Sequence, residues 1–355
     1  MRIGIPKEVK VREGRVALIP SAVSELVRHG HEVFIQSTAG VASGYPDEDY
    51  QSAGAQITPD AAALYGGVQM VLKVKEPIAS EYPLLRKDHI LFSYLHLAAL
   101  PKLAQTLKEK GLTAVAFETV EANGKLPLLA PMSDIAGRLS VHIGTTLLHG
   151  HAGGRGVMLG GLPSTERGHV VILGAGVAGG NAAAMAAALG AQVTVLAPNR
   201  EELERMHALS PNVTALPSYV SHIAEAVASA DLLIGAVLIP GAKAPKLVTA
   251  DMVRQMKPGS VIIDISVDQG GCIETIRPTD YDHPTYIEHG VLHFGVTNMP
   301  GAVPRTASQA LSTVLTPYAL RLATEGGLKD SAIAKGINVA GGKFVHPAVA
   351  AALSG

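Results

Sequence analysis

Apolar positions along this chain follow two rhythms. Short unbroken apolar runs, each closed by glycine, proline or charge, read as buried strands; apolar residues three and four apart read as helices. Residues 2–6, 31–35, 69–74, 90–96 and 113–118 read as strands. Between them, Pro20-Ser21 opens a helix with Ala22, Val23, Leu26 and Val27 on one face, which stops at Gly30. Residues 103–110 read as another helix, and residues 40–50, rich in Gly, Pro and Asp, as a loop. This alternation predicts a mostly parallel α/β domain. Residues 126–132 form a proline-containing hinge, and residues 133–149 a long apolar helix. Further strands are expected at 232–237, 261–265 and 292–296. From Thr306 the pattern returns to helix, with Ala307, Leu311, Val314 and Leu315 on one face. This last piece is expected to pack back on the first domain. The expected division is therefore 1–127 with 306–355, and 128–305.

The strongest local signal is residues 170–197. Val170 to Leu173 read as a buried strand, Gly174-Ala175-Gly176-Val177-Ala178-Gly179 as a turn, the Ala-rich run after it as a helix, and Val193 to Leu196 as a second strand. Strand, glycines, helix and strand in this order predict a dinucleotide-binding βαβ unit. Gly174 permits the tight turn, Gly176 lets backbone N–H groups approach a pyrophosphate, and Gly179 lets the helix lie close on the strand.

Composition changes this picture little. The 355 residues are 47% hydrophobic and 17% charged, enough for two cores. Lys plus Arg number 29 against 30 Asp plus Glu, a net charge of −1 that favours no nucleic-acid partner. A single cysteine, Cys272, excludes an internal disulfide and fits a reducing compartment. The opening residues lack the apolar core of a signal peptide, so export by that route is not expected. Residues 170–199 carry no charge over more than the about 20 residues a bilayer span needs, but glycines and polar residues interrupt them, and no membrane partner is expected.

Several residues could carry chemistry. Lys73 and Lys75 alternate, so both are expected on one face of their strand, with Lys75 at its carboxyl end. A lysine there polarises a carbonyl oxygen or holds a carboxylate; the other reading is a solvated strand-end charge. His96 closes an apolar run and could move protons near neutral pH, or be a hydrogen-bonded core histidine. Arg15, in the charged loop after the first strand, has a fork suited to a carboxylate, though most loop arginines are simply solvated. Asp264 and Asp268 frame a strand end, where a carboxylate could relay a proton or cap the loop. Asn298 could bond a ribose or amide, or satisfy its own turn. His149, His151 and Cys272 show no ligand spacing, so no metal is expected, and no nucleophile elbow is present.

Taken together, GIPKE with Arg15, KVKEP at 73–77, SYLHLA at 93–98, PMSDIAGR at 131–138, GGRGVMLGG, GAGVAG, IGAVLIPGAKAPKLV, VDQGGCIE and NMPGAVPRT resemble the alanine dehydrogenase family, within the wider alanine dehydrogenase and pyridine nucleotide transhydrogenase group. The resemblance covers nearly the whole chain. It implies two doubly wound, Rossmann-like α/β domains, the first discontinuous, with the active site in the cleft between them. It implies reversible oxidative deamination of L-alanine to pyruvate and ammonium with NAD, in a cytoplasmic homohexamer. Arg15 and Lys75 would hold the substrate carboxylate and carbonyl oxygen, His96 would be the acid–base group, and Asp268 would assist proton transfer. Ser133, Gly174, Gly176, Val177, Ala178, Gly179, Ala197, Arg200, Ser218, Val237, Leu238, Ile265, Ser266, Val267, Asp268, Val296, Thr297, Asn298 and Met299 would surround the cofactor.

One departure bears on the cofactor. The second strand of such a unit normally ends in an acid that binds the adenosine ribose; here Ala197 stands there, followed by Pro198, Asn199 and Arg200. That admits NADP, with Arg200 near the 2′-phosphate. Asn199 and Glu202 instead read as a capping box, and Glu201 and Glu202 would repel a phosphate, which keeps NAD ahead. Phe117 stands where the family often shows Tyr. Alternative functions are a dehydrogenase of another small amino acid, a transhydrogenase-like nucleotide-binding subunit, and a nucleotide-binding protein with a silent site.

Overall fold

A computed structural model describes residues 1–237 and 244–353. The described residues hold fifteen strands, numbered in chain order. Strands β1 (Arg2–Ile5), β2 (Glu32–Gln36), β3 (Gln56–Thr58), β4 (Met70–Leu72), β5 (Ile90–Ser93) and β6 (Thr113–Ala116) belong to a first sheet. Strands β7 (His169–Leu173), β8 (Gln192–Ala197), β9 (Val213–Pro217), β10 (Leu232–Gly235), β11 (Val261–Asp264), β12 (Thr285–Glu288) and β13 (Val291–Phe294) form a second. The chain then returns to the first sheet with β14 (Ile337–Ala340) and β15 (Lys343–Phe344).

Two compact units follow from this path: Met1–Met132 with Gly301–Gly355, and Ser133–Pro300. The boundaries fall a few residues inside the expected second domain. The carboxyl-terminal arm joins the first unit early: a Cβ on Gly14 would already touch Pro304 at 3.3 Å. On helix Pro304–Ala323, Ser308 Oγ accepts the Val16 N–H at 2.9 Å and Ser312 Oγ accepts the Ile19 N–H at 3.1 Å.

The first sheet runs β15-β14-β6-β5-β4-β1-β2-β3. Its strands β1 to β6 pair in parallel, and β14 and β15 add antiparallel at one edge. The order reverses between β1 and β4, so a crevice opens beyond their carboxyl ends. The segments leaving those two ends carry Arg15, Lys73 and Lys75. One face buries Val71, Leu91 and Ala114 against Leu103, Ala104 and Leu107 of helix Pro101–Lys110.

The second sheet runs β12-β13-β11-β10-β7-β8-β9, parallel except for β12, and its order reverses between β7 and β10. Apolar side chains alternate across it. Val170 and Ile172 enter one core with Ala182, Ala183 and Ala186 of helix Val177–Ala188, while Val171 and Leu173 enter the other with Ile223 and Val227. A sheet buried on both faces explains the continuous apolar runs. Strands β3, β9, β12, β14 and β15 were not expected; several are short, lie at sheet edges and are half exposed, which hides them from an apolar-run reading.

Candidate functional site

In the first unit, strand β4 ends at Leu72, so Lys73 and Lys75 are not alternate residues of a strand; both lie beyond it at the switch point. Their surroundings differ. Lys73 is fully buried, its Nζ 3.3 Å from Glu8 Oε2 and 3.2 Å from Glu81 Oε1. Burial works against its charge, but Glu8 and Glu81 outweigh it and leave the ammonium above its ordinary range. Lys75 is half-buried, its Nζ 4.0 Å from Glu76 Oε2. The Glu76 carboxyl also pairs with Lys10; burial opposes its charge, and the two lysines hold it below the usual range.

Arg15 is not a solvated loop arginine. It is 2% exposed, and its Nε and Nη2 donate to the two Glu13 oxygens at 2.6 Å each. Nη1 donates to Met132 Sδ at 3.1 Å. A bidentate fork of this kind fixes the guanidinium plane. Burial opposes the charge, and the Glu13 bonds more than restore it.

His96 lies three residues past β5 with φ +48°, a left-handed conformation unusual for a residue with a side chain. Glu118 holds that turn: its carboxylate accepts the His96 N–H at 2.6 Å and the Leu95 N–H at 3.2 Å. The imidazole remains exposed, with Nδ1 3.9 Å from Glu118 Oε1, and lies parallel to the buried Tyr94 ring at 6.0 Å. The strained turn presents an accessible ring rather than a core histidine.

In the second unit, the glycine turn follows β7. Gly174 has φ +99°, and a Cβ there would stand 2.5 Å from Ala236 O. A Cβ on Gly179 would stand 1.9 Å from Gly174 O. Around Gly176, by contrast, nothing would meet a Cβ within 4 Å, and no side chain caps the helix that starts at Val177. Two glycines forced by close packing and a third facing open space make a cradle of backbone N–H groups at a helix N-terminus. It fits a dinucleotide pyrophosphate.

The other strands bring their carboxyl-end loops to the same edge. After β11, residues Ile265–Gln269 form one short helical turn. Asp264 is buried and organises it, accepting N–H groups from Ser266 at 2.9 Å, Cys272 at 2.8 Å and Ile273 at 3.3 Å. Burial pushes its carboxyl up against those bonds. It is a loop cap. Ser266 Oγ accepts the Val237 N–H at 2.9 Å, tying the ends of β10 and β11 together. Asp268 is exposed and accepts the Asn298 N–H at 3.4 Å, with Asn298 at φ +59°. Val296 and Met299 are buried in the segment after β13, and Thr297 is exposed. Leu238 lies outside the described residues.

Beyond β8 and β9, Pro198, Arg200, Leu203, Pro217, Ser218 and Tyr219 line a cavity of about 470 Å³. Ala197 is buried at the end of β8, and its carbonyl accepts the Ser218 N–H at 3.1 Å. Asn199 caps the following helix by accepting the Glu201 N–H at 2.9 Å. Arg200 stands in solvent and bonds Glu204 at 2.8 Å. Ser133 opens the second unit. Among the described residues, no group of three metal-ligating side chains is placed to hold an ion, and no helix is long and apolar enough to cross a membrane.

Sequence reasoning missed Glu8, Glu13, Glu81 and Glu118. The available signal was acids in loops just past strands that also carry cations.

Comparisons with known proteins agree in both units. The alanine dehydrogenase/PNT N-terminal domain model matches residues 4–136, and the C-terminal domain model matches residues 140–347. The alanine dehydrogenase of Bacillus subtilis (strain 168) is 51% identical, covering 99% of this chain and 94% of the relative. A solved L-alanine dehydrogenase superposes with a TM-score of 0.96 at 53% identity, covering 100% of this chain and 99% of that one. A transhydrogenase from Sinorhizobium meliloti follows at 0.85 and 27%, covering 98% and 100%.

Proposed function

The chain belongs to the alanine dehydrogenase and pyridine nucleotide transhydrogenase family, and from that premise we propose that it is an L-alanine dehydrogenase. It interconverts L-alanine, water and oxidised nicotinamide nucleotide with pyruvate, ammonium, reduced nucleotide and a proton. The observation that carries this reading is the full-length match to a dehydrogenase at about half identity, against 27% for the transhydrogenase.

Each unit has its share of the work. Arg15, held in one plane by Glu13, binds the substrate carboxylate. Lys75 polarises the oxo oxygen of pyruvate, or the carbinol oxygen formed when water adds to the imine. His96, exposed on its strained turn, takes the proton from that water and returns it in the reverse direction. Asp268 assists by accepting or orienting a proton beside Asn298. The glycine cradle, Val177 and Ala178 would hold the pyrophosphate of a bound nucleotide, and Val237, Ser266 and Val296 to Met299 are the residues that would line its nicotinamide end. A nicotinamide nucleotide held by these residues would supply the hydride acceptor for the alanine α-carbon. The protein adds position and charge.

NAD is the preferred nucleotide in this proposal. Ala197 brings no acid to repel a 2′-phosphate, which admits NADP, but Glu204 already engages Arg200. Titrations with NADH and NADPH test the order, and equal or tighter NADPH binding overturns it. The proposal also places the enzyme in the cytoplasm as a homo-oligomer, a hexamer that light scattering would weigh. The activity itself is tested by oxidation of NADH that requires both pyruvate and ammonium. Absence of oxidation with any small 2-oxo acid would contradict it.

A further inference from the structure

At the switch point of the first sheet, one carboxylate touches three consecutive residues of another loop. Glu8 lies in the segment after β1, the segment that also carries Glu13 and Arg15. Its Oε1 accepts the Val74 N–H at 2.6 Å, and its Oε2 accepts the Lys75 N–H and the Lys73 ammonium, each at 3.3 Å. Lys73 in turn reaches Glu81, which accepts the Ile78 N–H at 2.9 Å and the Tyr65 hydroxyl at 2.9 Å. Glu8, Lys73 and Glu81 are each at most 7% exposed, so none of them meets solvent as Lys75 does.

From this geometry we infer that Glu8, braced by Lys73 and Glu81, is a positioning residue that joins the two cation-bearing loops into one piece. It pins the backbone N–H groups of Val74 and Lys75 and, through its own loop, holds Arg15 in register with Lys75. The inference rests on the reading of Arg15 and Lys75 as the substrate carboxylate and carbonyl clamp. Lys73 thereby has a different task from Lys75, although the two stand in one short motif. Its charge is spent inside the protein: a cation at that place offsets the cost of burying Glu8, which burial pushes toward its protonated form.

A buried hydrogen-bonded carboxylate of this kind acts through geometry, so its loss should appear where the clamp acts. Glu8→Gln keeps the shape but puts an NH2 where N–H groups and an ammonium need acceptors. The test has two arms on the full-length protein. Hydrogen–deuterium exchange should show faster exchange at the Val74 and Lys75 amides in the variant. This arm needs no turnover, so it judges the strut even if the wild type proves inactive and the dehydrogenase reading falls. In kinetics with pyruvate, ammonium and NADH, the variant should raise KM for pyruvate by about tenfold or more while KM for NADH stays within about twofold. The same change should add little to a Lys75→Ala background, because both act on one contact. Where Glu8→Gln does not fold, Glu81→Gln, which loosens Lys73 and spares Glu8, should give the same pattern more weakly. Unchanged exchange at residues 74–75, equal rises in both KM values, or full additivity with Lys75→Ala would each overturn the inference.

Discussion

At the scale of single residues, the site is built by close approach and by fixed planes. Gly179 is the sharpest case, because the carbonyl of Gly174 occupies the place of a side chain. Gly179→Ala should cost about 1–3 kcal/mol of stability and weaken NADH binding together, read by thermal melts and fluorescence titration. Arg15 shows the other device. Glu13 grips one edge of its guanidinium through two parallel hydrogen bonds, an arrangement a lysine cannot reproduce. Arg15→Lys should raise KM for pyruvate with little change in KM for NADH in steady-state assays. The glycine turn was legible in the sequence, since strand, glycines and helix arrive in order, whereas the pattern alone did not set Arg15 apart from a solvated loop arginine, and its burial against Glu13 appears only in the structure. Glu8 was not legible either, because its partner Lys73 is 65 residues away and no spacing rule links them.

At the scale of elements, loops at strand ends are held by buried carboxylates. Asp264 accepts three backbone N–H groups from the loop that also supplies Ser266 and Asp268. Asp264→Ala strands those donors in a buried place, so it should destabilise the protein by at least about 2 kcal/mol and impair nucleotide binding. Glu76 is the counterpart on the segment of Lys75. Lys75 and Lys10 depress its carboxyl below the ordinary 4.5 against the push of burial. Its contribution is therefore complete above pH 4.5 and is lost as pH falls through the lower folded value. Glu76→Gln should accordingly flatten the acid limb of the stability curve measured by denaturant titration. Element type was readable wherever an apolar run was buried on both faces, as in β7, β8 and β11. It failed for β3, β12 and β15, whose side chains are mostly half exposed. It also overran β4, because Lys73 and Lys75 alternate as strand residues do while the strand stops at Leu72.

At the scale of the whole molecule, each of two mostly parallel-stranded sheets places its polar loops at the carboxyl ends of strands, one carrying cations and an imidazole, the other a glycine cradle. Each unit buries a histidine, His89 in the first and His293 in the second, and the second half-buries His169. Burial, the largest influence on each, lowers His89, His169 and His293 from the ordinary 6.5. The unfolded chain takes up those protons first, so the contribution of these histidines to stability should fall as pH drops below 6.5, which melts of the wild type against His293→Gln across pH 5 to 8 would show. The division of labour between the units is the central claim, and one kinetic comparison reaches it most directly. Pyruvate- and ammonium-dependent oxidation of NADH is measured in the wild type and in His96→Gln, with NADH affinity measured on the same samples. The expected result is a loss of about a hundredfold or more in kcat with unchanged NADH affinity. A His96→Gln enzyme that turns over like the wild type, or that loses NADH binding along with rate, would contradict it.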